Sequence, residues 1–435
     1  MILSSRKNQE GHASTPTTYD ITFIRIYPNV ILSEEKIYVD IKTLSAVIEG
    51  TESLYSPTVT YDIGMVDTFN LLEQLKLTGG EKVTIGIQQK LSNKTHKYNI
   101  ECYLSDIISY NKTLTSKATY VLRCVSKQMQ SESVTVLSRA FSGTPGNIIK
   151  KIVQSDLNTT PHYINETSSK QVQGIFPRLR PLHAIMWLSR NSYDNGTPFY
   201  FYDTLKDGLH YKSYKEMLED DIVDTYNLTR YQVKPSETTE GFEEERLRVR
   251  EMQSDTYGLA RYSDISSGAY ASTLHEIDIS TKQYNKTIFN SEAQKLMRLN
   301  RNPINVYNES TKIKALPLNE HSDAKNYFIS KNSKQYNGNN YYSQSDIQLQ
   351  KAQAQKHLLN QNTLQIQVPG NFDLSAGNKI HLNVYRQKPD ADGSGIDKAL
   401  SGKYLVTEIA HTFEEGYLMD LVIQKDSGEL IYDTK

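Results

Sequence analysis

Cysteine is almost missing from this chain. Two residues in 435, Cys102 and Cys124, cannot build a disulfide scaffold or supply a four-ligand zinc site by themselves, and a reducing compartment is expected. Long apolar runs are missing as well. No stretch approaches the ~18–20 residues of a membrane helix, and the opening Met1 to Asn8 lacks the apolar core of a signal peptide. The expectation is a soluble protein without a secretion signal and without stable membrane insertion. Charge of one sign is lacking too: 49 Lys+Arg against 50 Asp+Glu leave a net charge of -1, which argues against sequence-independent binding of nucleic acid. Hydrophobic residues reach only 37%, below the usual ~45–50%.

What is abundant is tyrosine. Thirty of them lift the aromatic share to 10%, and a ring with a wet tip suits half-buried strands and subunit contacts. At 49.7 kDa the chain should hold more than one core. Residues 1–19 are polar and unpatterned and read as a flexible start. Period-2 alternation begins at Ile21–Tyr27 and returns at Lys36–Lys42, Thr58–Ile63, Lys82–Ile87, Tyr98–Ile108 and Ala118–Val125. Residues 20–128 thus predict one β-barrel or sandwich of about six or seven strands.

The pattern then changes. Thr144-Pro145 followed by Ile148, Ile149, Ile152 and Val153 predicts a capped helix. A second is expected from Pro181, carrying the only tryptophan, Trp187; Thr197–Tyr202, the Lys206-Asp207-Gly208 turn and Leu209–Ser213 then read as a hairpin. Residues 300–355 are rich in Asn, Gln, Ser and Tyr and predict long loops. Ser345–Leu359 reads as a helix, and strand character resumes from Thr363.

The first and last β regions match each other. Leu77–Ile87 aligns without a gap on Leu374–Val384, an offset of 297 residues, and Tyr120–Val125 aligns on Tyr417–Val422 at the same offset. Each copy enters a strand through a glycine turn, then a lysine, then alternating aliphatics: Gly80, Lys82, Val83, Ile85 and Tyr120 against Gly377, Lys379, Ile380, Leu382 and Tyr417. The fold class expected is α+β, mainly β: two antiparallel barrels related by internal duplication, with an inserted α+β domain.

On these pieces the sequence resembles the central baseplate hub proteins of contractile phage tails, as in the T-even phages, and the related N-terminal half of type VI secretion spike proteins. The segments that carry the resemblance are Phe141–Pro145 with the following helix, Pro181–Leu188 running into Phe199–Tyr202, Ser267–Ser272 leading into Ile277-Asp278, Gly377–Ile380, Gly402–Thr407 and Gln424–Ser427. The resemblance implies two tail-tube-like barrels per subunit, at 20–128 and, discontinuously, at 243–288 and 356–428. The inserted domain would be 129–242 with 289–355, and 429–435 a tail. Leu247 to Ile279 would be a hairpin of the second barrel. It further implies a homotrimeric, pseudo-six-fold ring that joins a hexameric tail tube to a trimeric central spike, contacts other baseplate proteins, and surrounds a channel through which DNA passes without specific binding. Such a protein sits in the virion tail baseplate and is assembled in the bacterial host cytoplasm.

Signs of chemistry are sparse. Asp390, Asp392, Ser394 and Asp397 sketch a calcium loop, but Ser401 stands where a bidentate Glu belongs and strands flank it, so a hairpin insertion is the preferred reading. The ten histidines show no HExxH and no i,i+4 pair. Glu219-Asp220-Asp221, Glu243-Glu244-Glu245 and Glu414-Glu415 are the acids from which a tail-associated cell-wall hydrolase, or a glycan-binding module, would draw its carboxylates; solvated faces are the plainer reading. No catalytic residue, cofactor or metal is expected, and the protein is read as non-enzymatic. A hub part of a type VI or extracellular injection system is a further alternative, disfavoured because no spike-like segment follows the last strand.

Overall fold

Alternation from Tyr19 onward becomes seven strands: β1 (Tyr19–Tyr27), β2 (Val39–Asp40), β3 (Ser45–Ser53), β4 (Thr60–Asp67), β5 (Lys82–Leu91), β6 (Lys94–Leu114) and β7 (Lys117–Val125). The computed structural model describes residues 15–29, 38–91, 94–114, 117–166, 171–194, 196–229, 239–257, 261–279, 281–300, 302–303, 312–313, 316–331, 347–386, 395–397 and 399–428. Every neighbour in the order β3-β4-β7-β6-β5-β1-β2 is antiparallel. A bulge between Ile21 and Phe23 shifts the alternation of β1, so Ile21, Ile24 and Ile26 all face inward. Cys102 and Cys124 are free thiols in this core. The neighbouring Cys124 and burial push the Cys102 thiol well above its ordinary range, so it is inert.

The middle of the chain builds smaller pieces. β8 (Ala140–Gly143) pairs with β10 (Val172–Ile175), and β9 (Tyr163–Ile164), β11 (Tyr193–Asp194), β12 (Thr197–Thr204) and β13 (Gly208–Ser213) form a sheet in the order β11-β12-β13-β9. Thr144 caps the helix Pro145–Lys151 through Asn147 N–H. The helix Pro181–Arg190 packs Leu182, Ala184, Ile185 and Leu188 against Phe199, Phe201 and Tyr211, each full burial contributing about 1.5–3 kcal/mol. β12 is buried along its whole length because both faces are covered. Phe199 and Phe201 face this helix, while Tyr200 and Tyr202 pack with Leu54, Tyr214, Met217, Leu359 and Leu405.

The remaining strands are β14 (Ile222–Leu228), β15 (Glu251–Tyr257), β16 (Ala271–Asp278), β17 (Gln283–Asn290), β18 (Asn302–Pro303), β19 (Lys312–Ile313), β20 (Leu316–Pro317), β21 (Asn326–Lys331), β22 (Asn362–Pro369), β23 (Lys379–Val384), β24 (Gly402–Phe413), β25 (Tyr417–Lys425) and β26 (Ser427–Gly428). β15-β22-β25-β24-β23 is again antiparallel throughout, with β14 added beyond β23 in parallel. The stretch expected as one hairpin, Leu247 to Ile279, divides instead. β15 joins this sheet, whereas β16 pairs with β17 and β21 in a separate three-stranded sheet, because the helix Arg261–Ser267 turns the chain away between them. The helix expected at Ser345–Leu359 is seen at Ile347–Leu359.

The two β modules are joined edge to edge. β24 pairs with β3 from Glu408↔Ser53 to Phe413↔Ile48, making one long sheet. Its inner face feeds a single apolar cluster drawn from both modules, in which Tyr98 stacks on Phe372 at 4.0 Å and Tyr19 meets Phe413 at 5.4 Å. Among the described residues no helix is long and apolar enough to cross a membrane.

Candidate functional site

The matched turns are alike down to single hydrogen bonds. Gly80 and Gly377 have φ of 85° and 86°, the left-handed region that favours glycine. Thr78 N–H donates to the Glu81 side chain at 2.8 Å, as Ser375 N–H does to the Asn378 side chain at 2.8 Å. Gly80 N–H donates to Leu104 O at 2.7 Å and Leu104 N–H to Glu81 O at 2.9 Å; Gly377 N–H donates to Val406 O at 2.8 Å and Val406 N–H to Asn378 O at 2.9 Å. Lys82 then pairs with Tyr103 and Lys379 with Leu405, the residues at which β6 and β24 pass from one neighbour to the next. Val83, Ile85, Ile380 and Leu382 are fully buried, as are Tyr120 and Tyr417.

The strand order agrees as well. β3-β4-β7-β6-β5 corresponds to β15-β22-β25-β24-β23. Each module also returns toward its start: β2, just before β3, pairs with β1, and the segment just before β15 bonds β14 through Asn227 N–H to Leu247 O and Val249 N–H to Asn227 O. Beyond Leu104, β6 has no second partner among the described residues, and Ser105 to Asp106 and Ser109 to Lys112 are exposed. At the equivalent place β24 carries β3.

Buried acids tie the β12–β13 hairpin to the modules. Glu52, 2% exposed, accepts from Leu205 N–H at 2.7 Å and Ala376 N–H at 2.8 Å, and His411 lies 4.0 Å away. Asp203 accepts from Ser126 Oγ, Gln128 Nε2 and Val59 N–H, and burial pushes its carboxyl up to about 6 against the pull of these donors. A shallow groove of about 360 Å³ crosses the seam between Thr51, Ser53, Thr60, Glu408 and Asp420.

Three of the acids singled out in the sequence are engaged elsewhere. Glu243 bonds Arg246, Glu245 lies near Arg248 and Arg250, and Asp220 bonds Lys212. Asp390, Asp392 and Ser394 lie outside the described residues, while Asp397 caps the turn at Ala399 and Leu400. The fold does gather one donor set that sequence spacing hides: His162, Asp207 and His210, with donor atoms all within 4.8 Å of one another. Forty-eight residues separate the two histidines in sequence, and only the parallel β9·β13 pairing unites them.

No family model and no curated protein matches the sequence. Solved structures do match. The tail protein from Neisseria meningitidis MC58 superposes with a TM-score of 0.52 at 12% identity, over 94% of this chain and 97% of that one. The 43 kDa tail protein of prophage MuSo2 from Shewanella oneidensis does so with a TM-score of 0.52 at 10% identity, over 93% and 98%. The fold is that of phage tail proteins. This tail-protein fold takes in nearly the whole of each chain.

Proposed function

We propose that the chain is the central baseplate hub of a contractile phage tail, a non-enzymatic structural protein acting as a homotrimeric ring. Two β modules per chain arose by internal duplication, with the α+β material inserted between them. Three copies would present six similar modules, matching a hexameric tail tube on one side and a trimeric spike on the other, around a channel for DNA. Near-zero net charge suits a conduit past which phosphates slide. The hub belongs in the virion baseplate.

The observation that carries this reading is the pair of unmatched edges. Inside the chain, β3 of the first module adds to the β24 edge of the second. The equivalent partners, β15 at the end of the sheet and the outer half of β6, have no such neighbour among the described residues. Pairing β15 of one copy with β6 of the next would repeat the internal seam, and a heterologous contact of this kind closes into a ring when its rotation divides the circle. Light scattering on the purified chain at high concentration should give three times 49.7 kDa, and that mass plus the bound spike when a spike partner is added. Ile107→Arg with Tyr110→Arg on the β6 edge should return it to a monomer of unchanged circular dichroism. A monomeric parent at high concentration with its partner would overturn the proposal.

A further inference from the structure

We propose that His162, Asp207 and His210 bind one Zn²⁺ ion per chain, with water completing the coordination. The site is independent of the hub reading and rests on backbone geometry. β13 runs beside β9 in parallel, with His210 opposite Tyr163, and His162 N–H donates to Leu209 O at 2.9 Å. Two backbone constraints therefore hold the imidazoles side by side, their ring centroids 4.9 Å apart. Tyr202 stacks on His210 at 5.2 Å and fixes that ring's plane.

Asp207 arrives from the β12–β13 turn. Thr204 pairs with Gly208 across it, Asp207 N–H donates to Thr204 Oγ1 at 3.2 Å, and Gly208 takes a φ of 88°, which delivers the carboxylate beside the two rings. All donor atoms lie within 4.8 Å of one another. A tetrahedral ion about 2.0–2.2 Å from each donor needs them roughly 3.4 Å apart, a closure that the exposed His162 and Asp207 side chains can make by small torsions. Two imidazoles and one carboxylate suit a borderline-soft ion such as Zn²⁺ and not Ca²⁺ or Mg²⁺, which take oxygen ligands.

The location gives such an ion a role. The same turn donates Leu205 N–H to Glu52 of the first module and places Lys206 3.2 Å from Asp373 of the second. An ion here would clasp the tip of the β12–β13 hairpin where it touches both modules. Binding to the folded state alone raises stability by mass action.

The test uses the full, tag-free chain after chelator treatment. Calorimetric titration with Zn²⁺ should give one ion per chain, and saturating Zn²⁺ should raise the melting temperature. His162→Ala and Asp207→Ala should each weaken binding at least tenfold without shifting the metal-free melting temperature, while His96→Ala leaves binding unchanged. Co²⁺ reads ligation apart from folding: an intense tetrahedral absorption is expected, lost in His162→Ala. Substoichiometric uptake, parent-like affinity in both variants, or a pale octahedral Co²⁺ spectrum indifferent to His162 overturns the site.

Discussion

The two β modules share a strand order and a turn, and differ in their first strand. β1 lies antiparallel to β5, whereas β14 occupies the same position beside β23 in parallel. The α+β material accounts for the reversal: the chain leaves β13, forms the helix Tyr214–Glu219, and so enters β14 from the opposite end. A sheet position can thus be filled from either direction provided its inward face is apolar, since both polarities satisfy the backbone. The lysines after the two turns differ in the same spirit. Lys82 makes an exposed ion pair with Glu101 at 2.5 Å. Lys379 is covered by the inserted material, donates to Leu218 O at 2.5 Å, and is pushed below the ordinary lysine range by burial and then by Lys403.

Substituting equivalent positions breaks this comparison in measurable ways. The largest contrast is expected at the glycines. Alanine at either one suffers the left-handed backbone, about 1–2 kcal/mol. At Gly377 its Cβ would also stand 2.6 Å from the Tyr202 hydroxyl, whereas at Gly80 the nearest atom is 3.7 Å away. Gly377→Ala should therefore cost about 3 kcal/mol and Gly80→Ala about 1, read as chemical-denaturation midpoints; equal losses would mean the second turn is no tighter than the first. Next comes the seam. Glu52→Gln turns an amide N–H₂ toward one of the two backbone donors and should cost about 2–3 kcal/mol, read as a lowered denaturation midpoint.

Asp203 adds a pH dependence. Its carboxyl is raised from 3.8 to about 6 in the folded protein by burial. Its contribution to stability is therefore fully present below about pH 4 and is lost as pH rises through 6. Asp203→Asn keeps an acceptor for Ser126, Gln128 and Val59 and should gain on the parent by on the order of 2 kcal/mol between pH 4 and pH 7. A parallel pH profile in the two proteins would refute the assignment. The smallest contrast is between the lysines: Lys379→Ala strands the half-buried Leu218 carbonyl and should cost about 1 kcal/mol, Lys82→Ala less than about 0.5.

Much of the fold was legible along the chain. Thr144-Pro145 marked a helix start, the Lys206-Asp207-Gly208 turn marked β12 and β13, and the 297-residue offset paired Gly80 with Gly377 because a left-handed turn and the alternation after it are local demands. The candidate sites were less so. His162 and His210 have no shared motif, Glu52 looks like any strand-end acid, and Leu247 to Ile279 has strand character on both sides of a helix that sends its halves to different sheets.

The sequence by itself determined the local grammar: which stretches are strands and where glycine must turn the backbone. Those are decided by dihedral preferences and by the burial of every second side chain. Only the tertiary structure decided the direction of β14, the pairing of β3 with β24, the edges of β6 and β15 that stay open among the described residues, and the meeting of His162, Asp207 and His210. These depend on contacts between residues far apart in the chain, for which backbone hydrogen bonding sets no sequence requirement.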